Sequence, residues 1–208
     1  MGGFSDALDQ SVPRAVVGVM LVTSLGRIVS EIDVAKAPLS SAAFLVCVDD
    51  GSLAGGGSFY RAVRRKDNGD GDPQIDVVQG GLGSGAARGQ RVGHESTLLT
   101  GLRHVDGAIF LARAAIGTAT GTEFFVCVGE QPDLDAGGLR NRDGHGFAAF
   151  GRVIAGMDTI RRIHRSTCGA SVADPYLRGQ MLAPAIRIVV AARLSLDQNG
   201  WTGRMENE

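Results

Sequence analysis

The sequence has little cysteine, few aromatic residues and no long apolar run. Cys47, Cys127 and Cys168 are too few and too scattered for a disulfide framework, and no CxxC pair indicates a metal site. No apolar run reaches the ~18 residues that a membrane-spanning helix needs. Aromatic residues make up only 5% of the chain, whereas 31 of its 208 residues are glycine. This composition favours short strands joined by tight turns over a helical bundle.

Charge of either sign is also not in excess. The chain has 21 basic and 22 acidic residues and a net charge of -1, which gives no reason to expect binding to nucleic acid or to an anionic membrane. Residues 1–14 lack the basic start and apolar core of a secretory signal, and an odd number of cysteines suits a reducing compartment. We therefore expect a cytoplasmic protein, although an exported protein with a trimmed N-terminus would have the same pattern.

The pattern of apolar residues divides the chain into one domain and two tails. Residues 1–14 and 196–208 read as polar tails, and residues 15–195 read as the domain. The domain begins with a predicted hairpin over residues 15–33, and a helix then begins at Pro38. Its predicted buried stripe consists of Leu39, Ala43, Val46 and Cys47. A last strand is predicted over residues 185–194.

The stretch 59–81 contains the most unusual residue pattern in the chain. Its two ends read as strands, and the polar residues 64–74 between them read as a solvated loop. Simple alternation places Arg61 on the same strand face as Phe59 and Val63, so the guanidinium would stand at the rim of an apolar groove. A guanidinium in that position suits recognition of a peptide group. The alternative interpretation of Arg61 is a charge at the edge of a strand that faces water.

The loop at residues 64–74 also contains a possible calcium-binding pattern. Asn68, Asp70 and Asp72 alternate as in a calcium loop. However, such a loop needs glycine at its sixth position and a carboxylate at its twelfth, where this chain has Pro73 and Gln79. We therefore expect no metal in this loop.

Two further motifs are incomplete. Residues 81–86 partly match a glycine-rich dinucleotide fingerprint, but the residues that follow show no helical stripe to hold a pyrophosphate. His94-Glu95 does not continue into a zinc motif, because Leu98 occupies the position of the second histidine. We expect no cofactor and no metal, and a nucleotide-dependent enzyme remains only a third alternative.

The strand predicted over residues 123–128 contains two consecutive aromatic rings. Because side chains alternate between the faces of a strand, Phe124 and Phe125 cannot share one face. One ring must therefore point away from the interior of the sheet.

Three segments resemble the cyclophilins, the cyclosporin-binding class of peptidyl-prolyl cis-trans isomerases. Residues 59–81 are similar to that family's Phe-His-Arg and Gln-Gly-Gly segments, and residues 107–126 to its Met-Ala-Asn or Met-Ala-Arg strand, Thr-rich loop and Ser-Gln-Phe-Phe-Ile. Residues 132–158 resemble its Leu-Asp followed by Val-Phe-Gly-Lys-Val-x-x-Gly-Met-Asp, which is the most specific match. The resemblance covers roughly residues 16–194.

The resemblance implies a fold and an activity. The implied fold is all-β and mainly antiparallel, a closed eight-stranded β-barrel capped by two α-helices. The implied activity is peptidyl-prolyl cis-trans isomerisation without a cofactor. The implied partners are proline-containing polypeptides, with no nucleic acid or membrane, and we expect a monomer.

The resemblance also implies roles for individual residues. Arg61 matches the residue that donates a hydrogen bond to the prolyl amide nitrogen in the twisted state. The residues at substrate-contacting positions are Tyr60, Val77, Gln79, Ala112, Arg113, Glu123, Phe125, Leu134 and Phe147.

Several positions depart from the family pattern. Tyr60 replaces His, Val77 stands where the family often has Met, and Glu123 replaces Gln. Asp133 lies where eukaryotic members have a tryptophan that contacts cyclosporin, so we expect weak or no cyclosporin binding. Asp76 replaces Phe, and its carboxylate or that of Glu123 would divert the Arg61 guanidinium if the two paired. That pairing would favour an alternative function, a proline-peptide binding or chaperone module with little turnover.

Overall fold

The fold is an antiparallel β-barrel. The computed structural model describes residues 15–67, 73–83, 89–197 and 200–202. Asn68, Asp70 and Asp72, whose spacing resembles a calcium loop, lie outside these residues, as do positions 84–86 of the glycine-rich motif. Within the described ranges, no helix has the length and apolar character to cross a membrane.

Eight strands close the barrel, which confirms the predicted fold. They follow one another around the barrel in the order β1-β2-β7-β5-β6-β4-β3-β8, and β8 pairs with β1 to complete the ring. The ninth strand pairs with the end of β8, where the sequence predicts a tail. The strands are β1 Val16–Thr23, β2 Gly26–Asp33, β3 Ser58–Val63, β4 Val77–Gly81, β5 Ala108–Leu111, β6 Glu123–Cys127, β7 Ala149–Ala155, β8 Met181–Asp197 and β9 Gly200–Thr202.

Two longer helices pack against the barrel, as predicted. They are α1 Pro38–Asp49 and α4 Met157–Arg165, and two shorter helices are α2 Ser52–Gly56 and α3 Thr97–Thr100. Pro38 occupies the first turn of α1, where its missing N–H costs no hydrogen bond. Short 3-10 turns lie at Arg65–Asp67, Pro132–Leu134 and Pro175–Leu177.

The predicted buried stripe of α1 is partly wrong. Leu39 and Val46 are 54% and 59% exposed, whereas Phe44 is fully buried. The helix is apolar on several sides, so its sequence pattern does not define one inner face. The Glu95 carboxylate caps the first turn of this helix, accepting hydrogen bonds from the backbone N–H of Leu39 at 3.1 Å and of Ser40 at 2.8 Å.

Two apolar clusters lie on opposite faces of the strands β3, β4, β5 and β6. The interior cluster contains Phe44, Phe59 and Phe124, whose rings meet edge to face with centroids 5.3 and 5.7 Å apart. The exterior cluster contains Val63, Ile75, Val77, Ala108, Phe110, Cys127, Leu134, Phe147 and Ala149. The exterior cluster gives the outer surface of the barrel an apolar patch next to Arg61.

A β-bulge at Tyr60 changes which side chains share a face of β3. Phe59 pairs with Gly80 and Arg61 pairs with Gln79, so Tyr60 is an extra residue in the strand. After the bulge the alternation is reversed: Phe59 lies in the barrel interior, while Arg61 lies outside. The prediction that Arg61 shares a face with Phe59 is therefore wrong, and the prediction that it shares one with Val63 is confirmed.

Candidate active site

An open cleft of about 650 Å³ lies on the outer face of the barrel, above the exterior cluster. Every residue predicted for the site lines this cleft except Tyr60. The predicted residues that line it are Arg61, Val77, Gln79, Ala112, Arg113, Glu123, Phe125, Leu134 and Phe147. The sheet thus gathers residues that lie up to 86 positions apart in the sequence, from Arg61 to Phe147.

Strand register places the central residues of the cleft in one row. Arg61 pairs with Gln79, Gln79 pairs with Phe125, and Phe125 pairs with Phe110. Directly opposed residues of neighbouring antiparallel strands point to the same face. The row therefore carries a cation, an amide and two aromatic rings side by side across β3, β4, β6 and β5.

One end of the row is a compact apolar pocket. The rings of Phe110 and Phe125 are stacked with centroids 5.1 Å apart and an interplanar angle of 9°. Phe147 packs on Phe110 at 5.3 Å, and the buried side chains of Leu134 and Val77 complete the pocket. Phe124 faces the interior, so the expectation that the two consecutive phenylalanines face opposite sides is confirmed. Rigid apolar walls of this kind suit a small ring without charge.

The guanidinium of Arg61 is buried and held in place. It is 7% exposed, and its Nε and Nη2 donate hydrogen bonds to Gln180 Oε1 at 2.9 and 2.6 Å. Its Nη1 donates to Gln79 Oε1 at 3.2 Å, and the ring of Tyr176 lies 5.0 Å from Cζ. Among the described residues no carboxylate forms an ion pair with it. Arg61 therefore lies beside the apolar pocket without a carboxylate partner in that part of the chain.

The two carboxylates that were candidates to pair with Arg61 have other partners. Asp76 binds Arg65, whose Nε lies 2.9 Å from Asp76 Oδ2. Glu123 accepts a hydrogen bond from the hydroxyl of Tyr60. The pairing that would divert the guanidinium, and favour the alternative function, is thus absent among the described residues.

Tyr60 and Glu123 form a polar pair at the other end of the cleft. Burial raises the pKa of the Glu123 carboxyl, although the hydrogen bond from Tyr60 opposes this effect. Burial also raises the pKa of the Tyr60 hydroxyl, and the charge of Glu123 adds to that shift. Tyr60 therefore stays protonated and supports Glu123 from behind, instead of lining the cleft itself.

Arg113 fastens the loop that precedes Phe147. Its Nη1 and Nη2 donate to the two carboxylate oxygens of Asp143 at 2.7 and 2.9 Å, and its Nε donates to the Gly146 carbonyl at 2.8 Å. Its guanidinium also stacks over Phe147 at 5.3 Å. The hydrogen bonds from Arg113 hold the pKa of the Asp143 carboxyl well below its usual range. This network occupies Arg113, so its main contact is with the loop.

Three residues that contact Arg61 or Phe125 were not predicted from the sequence, namely Phe110, Tyr176 and Gln180. Phe110 was assigned only to a buried strand, although its alternation with Ile109 places it on the outer face. Gln180 and Tyr176 come from a segment that shows neither helical nor strand periodicity. No signal in the sequence connects that segment with Arg61, because the contact spans more than 100 residues.

In the part of the chain that the structure describes, no group of three or more histidine, cysteine, aspartate or glutamate side chains could hold a metal ion. The central row of the cleft presents a fixed cation, Arg61, beside the Gln79 amide and apolar walls. Such groups can bind a neutral segment and stabilise a change in its charge distribution without covalent chemistry.

Comparison with known proteins agrees with this geometry. Residues 18–188 match a family described as cyclophilin type peptidyl-prolyl cis-trans isomerase/CLD. Peptidyl-prolyl cis-trans isomerase A of Dickeya dadantii (strain 3937) is 32% identical over 148 residues, which is 70% of each chain. A peptidyl-prolyl cis-trans isomerase of Acinetobacter baylyi (strain ATCC 33305 / BD413 / ADP1) is 28% identical over 148 residues, again 70% of each chain.

Solved structures show the same fold. A cyclophilin type peptidyl-prolyl cis-trans isomerase of Cryptosporidium parvum is 17% identical, with a TM-score of 0.64 over 86% of this chain and 98% of its own. A crystal structure of the same protein in the presence of the dipeptide Ala-Pro has a TM-score of 0.63 at 18% identity, over 86% of this chain and 99% of its own. At this identity the likeness shows the fold alone, whereas the family match and the curated relatives extend to sequence. The chain belongs to the cyclophilin-type peptidyl-prolyl cis-trans isomerases, enzymes that accelerate rotation about X-Pro peptide bonds.

Proposed function

We propose that the protein isomerises X-Pro bonds by holding the proline ring in the apolar pocket and donating a hydrogen bond from Arg61 to the prolyl nitrogen. The observation that carries this proposal is the buried guanidinium beside the stacked rings of Phe110 and Phe125. It lies in the same strand row as those rings, so one bound residue contacts both.

The chemistry requires no covalent step. Rotation about a peptide bond has a barrier of about 18–20 kcal/mol, because conjugation is lost in the twisted state. In that state the prolyl nitrogen is pyramidal and carries a lone pair, which accepts a hydrogen bond more readily than the planar nitrogen does. A donor that is already fixed at this position binds the twisted state more tightly than the ground state, and this difference lowers the barrier.

The orientation of Arg61 suits this role. Gln180 accepts hydrogen bonds from the Nε and Nη2 atoms of the guanidinium, whereas Nη1 lies next to Gln79 in the cleft. We assign the Nη1 side to the prolyl nitrogen and the Gln79 amide to a neighbouring peptide group. An amide beside the reacting bond restricts the flanking chain, so rotation occurs about one bond.

We propose proline-containing polypeptides as the partners of the cleft. The apolar pocket accepts a ring, and the cleft is also lined by Thr118, Thr120 and Glu123, whose polar groups suit a flanking chain. The open form of the cleft supports a polypeptide over an enclosed small molecule. The Cryptosporidium parvum structure obtained in the presence of Ala-Pro lends support from a protein of the same fold.

The test is cis-trans exchange in a proline-containing peptide, measured by NMR with the purified protein. We expect fast exchange with the natural protein and a rate at least about 100-fold lower with Arg61→Ala, the usual loss when a transition-state donor is removed. Peptide binding, read from shifted resonances, remains in that variant because the apolar pocket is intact.

The matched control is Arg193→Ala, which removes an arginine that pairs with Asp49 outside the cleft. It leaves the exchange rate unchanged. If the natural protein shifts the peptide resonances but leaves exchange slow, the protein is a proline-peptide binding module and the proposed mechanism is wrong.

A further inference from the structure

Gln180 lies directly beside Arg61 because of the backbone pairing between β3 and the start of β8. Arg61 is paired with Met181, and the backbone N–H of Ala62 donates to the Gln180 carbonyl at 2.9 Å. Gln180 is 4% exposed, so its amide is removed from water. A buried amide must find hydrogen-bond partners within the protein, and its nearest one is the guanidinium.

The side chain of Gln180 connects Arg61 to the 3-10 turn Arg65–Asp67, which follows β3. Its Oε1 accepts two hydrogen bonds from Arg61, from Nε at 2.9 Å and from Nη2 at 2.6 Å. Its Nε2 donates to the Asp67 carbonyl at 3.2 Å. Both ends of the amide are thus satisfied, with the oxygen toward the cation and the nitrogen toward a carbonyl. This arrangement leaves the Gln180 side chain one orientation.

Tyr176 covers one face of the same guanidinium. Its ring lies 5.0 Å from Arg61 Cζ, and its hydroxyl accepts a hydrogen bond from Arg140 Nη2 at 3.1 Å. Tyr176 and Gln180 belong to one short segment, which begins with the 3-10 turn Pro175–Leu177. This segment therefore restrains the guanidinium along one edge and over one face.

We infer that Gln180 is a positioning residue for Arg61. It holds the guanidinium where it can donate a hydrogen bond to the substrate, and it does so without offsetting the positive charge of the guanidinium. This inference rests on the proposed catalytic role of Arg61. A flexible arginine would lose side-chain entropy each time it bound the twisted state of the substrate, whereas an arginine that is already fixed does not. A carboxylate at position 180 would hold the same edge, but it would offset the positive charge that the prolyl nitrogen needs. A neutral amide holds the edge and leaves the charge in place.

The kinetic test is a double-mutant cycle between Gln180→Leu and Arg61→Ala. With Arg61 present, we expect Gln180→Leu to lower kcat at least about tenfold and to change KM by less than about twofold, because the proline pocket is untouched. With Arg61→Ala already in place, the same change has no further effect, since Gln180 acts only through the guanidinium. Equal losses in both backgrounds, or no loss in either, would overturn the inference.

Two further variants separate positioning from charge and from folding. Gln180→Glu retains the acceptor for both Arg61 donors but offsets the charge, so it lowers kcat while Arg61 stays ordered. Gln180→Asn retains the amide but shortens its reach, so it lowers kcat as Gln180→Leu does. If Gln180→Leu does not fold, Gln180→Asn takes its place in the cycle, and wild-type kinetics in that variant would contradict the inference.

The NMR signal of the Arg61 Nε–H group tests the inference without any activity. The signal is assigned by its loss in Arg61→Ala. We expect slow exchange of this proton with water in the natural protein and in Gln180→Glu, and exchange at least about tenfold faster in Gln180→Leu. Slow exchange in Gln180→Leu would show that Gln180 does not hold the guanidinium. A natural protein with slow Nε–H exchange but no isomerase activity would refute the proposed function and leave the positioning contact intact.

Discussion

The imidazole of His104 is hydrogen-bonded to Asp135 beneath the proline pocket, with Nδ1 2.7 Å from Oδ1. Its ring packs edge-on against Phe110 with centroids 4.8 Å apart, so the pair supports the pocket from below. Burial lowers the pKa of His104, although the hydrogen bond to Asp135 opposes this shift.

Stability should therefore decrease at mildly acidic pH. Because the folded-state pKa of His104 lies below its ordinary value of about 6.5, the unfolded chain takes up a proton more readily as the pH falls through 6.5. The free energy of unfolding falls by at most about 1.4 kcal/mol per pH unit on this account, and levels off below the folded-state pKa. Urea unfolding at pH 7.5 and 5.5 measures the slope, which His104→Gln reduces. The control variant is His145→Gln, which removes an exposed histidine. A slope in His104→Gln equal to that of the natural protein would contradict the prediction.

Phe124 and Phe125 should respond to the same substitution in different ways. Phe125→Leu removes the stack on Phe110 and raises KM for a proline peptide several-fold, as expected for an aromatic contact of about 0.5–1.5 kcal/mol. Phe124→Leu leaves KM unchanged but lowers the free energy of unfolding by roughly 1–3 kcal/mol, because its ring fills the interior between Phe44 and Phe59. Kinetics and urea unfolding of both variants provide the check, and equal effects on KM would refute the assignment of faces.

Loss of the Arg113–Asp143 pair should weaken substrate binding through the loop that leads to Phe147. Arg113→Lys cannot reproduce the two parallel hydrogen bonds to Asp143 and the bond to the Gly146 carbonyl, so we expect KM to rise several-fold with kcat nearly unchanged. Asp143→Asn should act in the same direction. Since both residues belong to one network, the double variant is no worse than Arg113→Lys alone. Additive increases in KM would mean that Arg113 contacts the substrate independently.

The gain in stability of Glu123→Gln over the natural protein should be larger at neutral pH than at acidic pH. Burial raises the folded-state pKa of Glu123 above its ordinary value, so the folded chain holds that proton more tightly than the unfolded chain. The resulting stability is fully present below the unfolded-state pKa and is lost as the pH rises through the folded-state pKa. Glutamine does not ionise, so this loss disappears from a series of thermal unfolding measurements between pH 4 and 7. Tyr60→Phe is the counterpart: it removes the hydroxyl that supports the carboxylate and lowers stability at pH 7.

Local periodicity explains which parts of the site were predictable. The opposite orientations of Phe124 and Phe125 follow from strand alternation alone, which depends only on neighbouring residues. The face of Arg61 relative to Phe59 did not follow, because the bulge at Tyr60 arises from the register with β4. The predicted stripe of α1 was partly wrong for another reason: that helix is apolar on several sides, so packing against the barrel decides which side is buried.

The sequence by itself determined the family, the strands that carry the cleft and most of the residues that line it, because these are set by local motifs and by alternation. Only the tertiary structure decided how Arg61 is held. Its contact with Gln180 joins residues 119 positions apart in the chain, and Asp76 and Glu123, which the sequence placed near Arg61, found other partners. Hydrogen bonds between such distant groups depend on strand register and burial, and neither is encoded in the order of neighbouring residues.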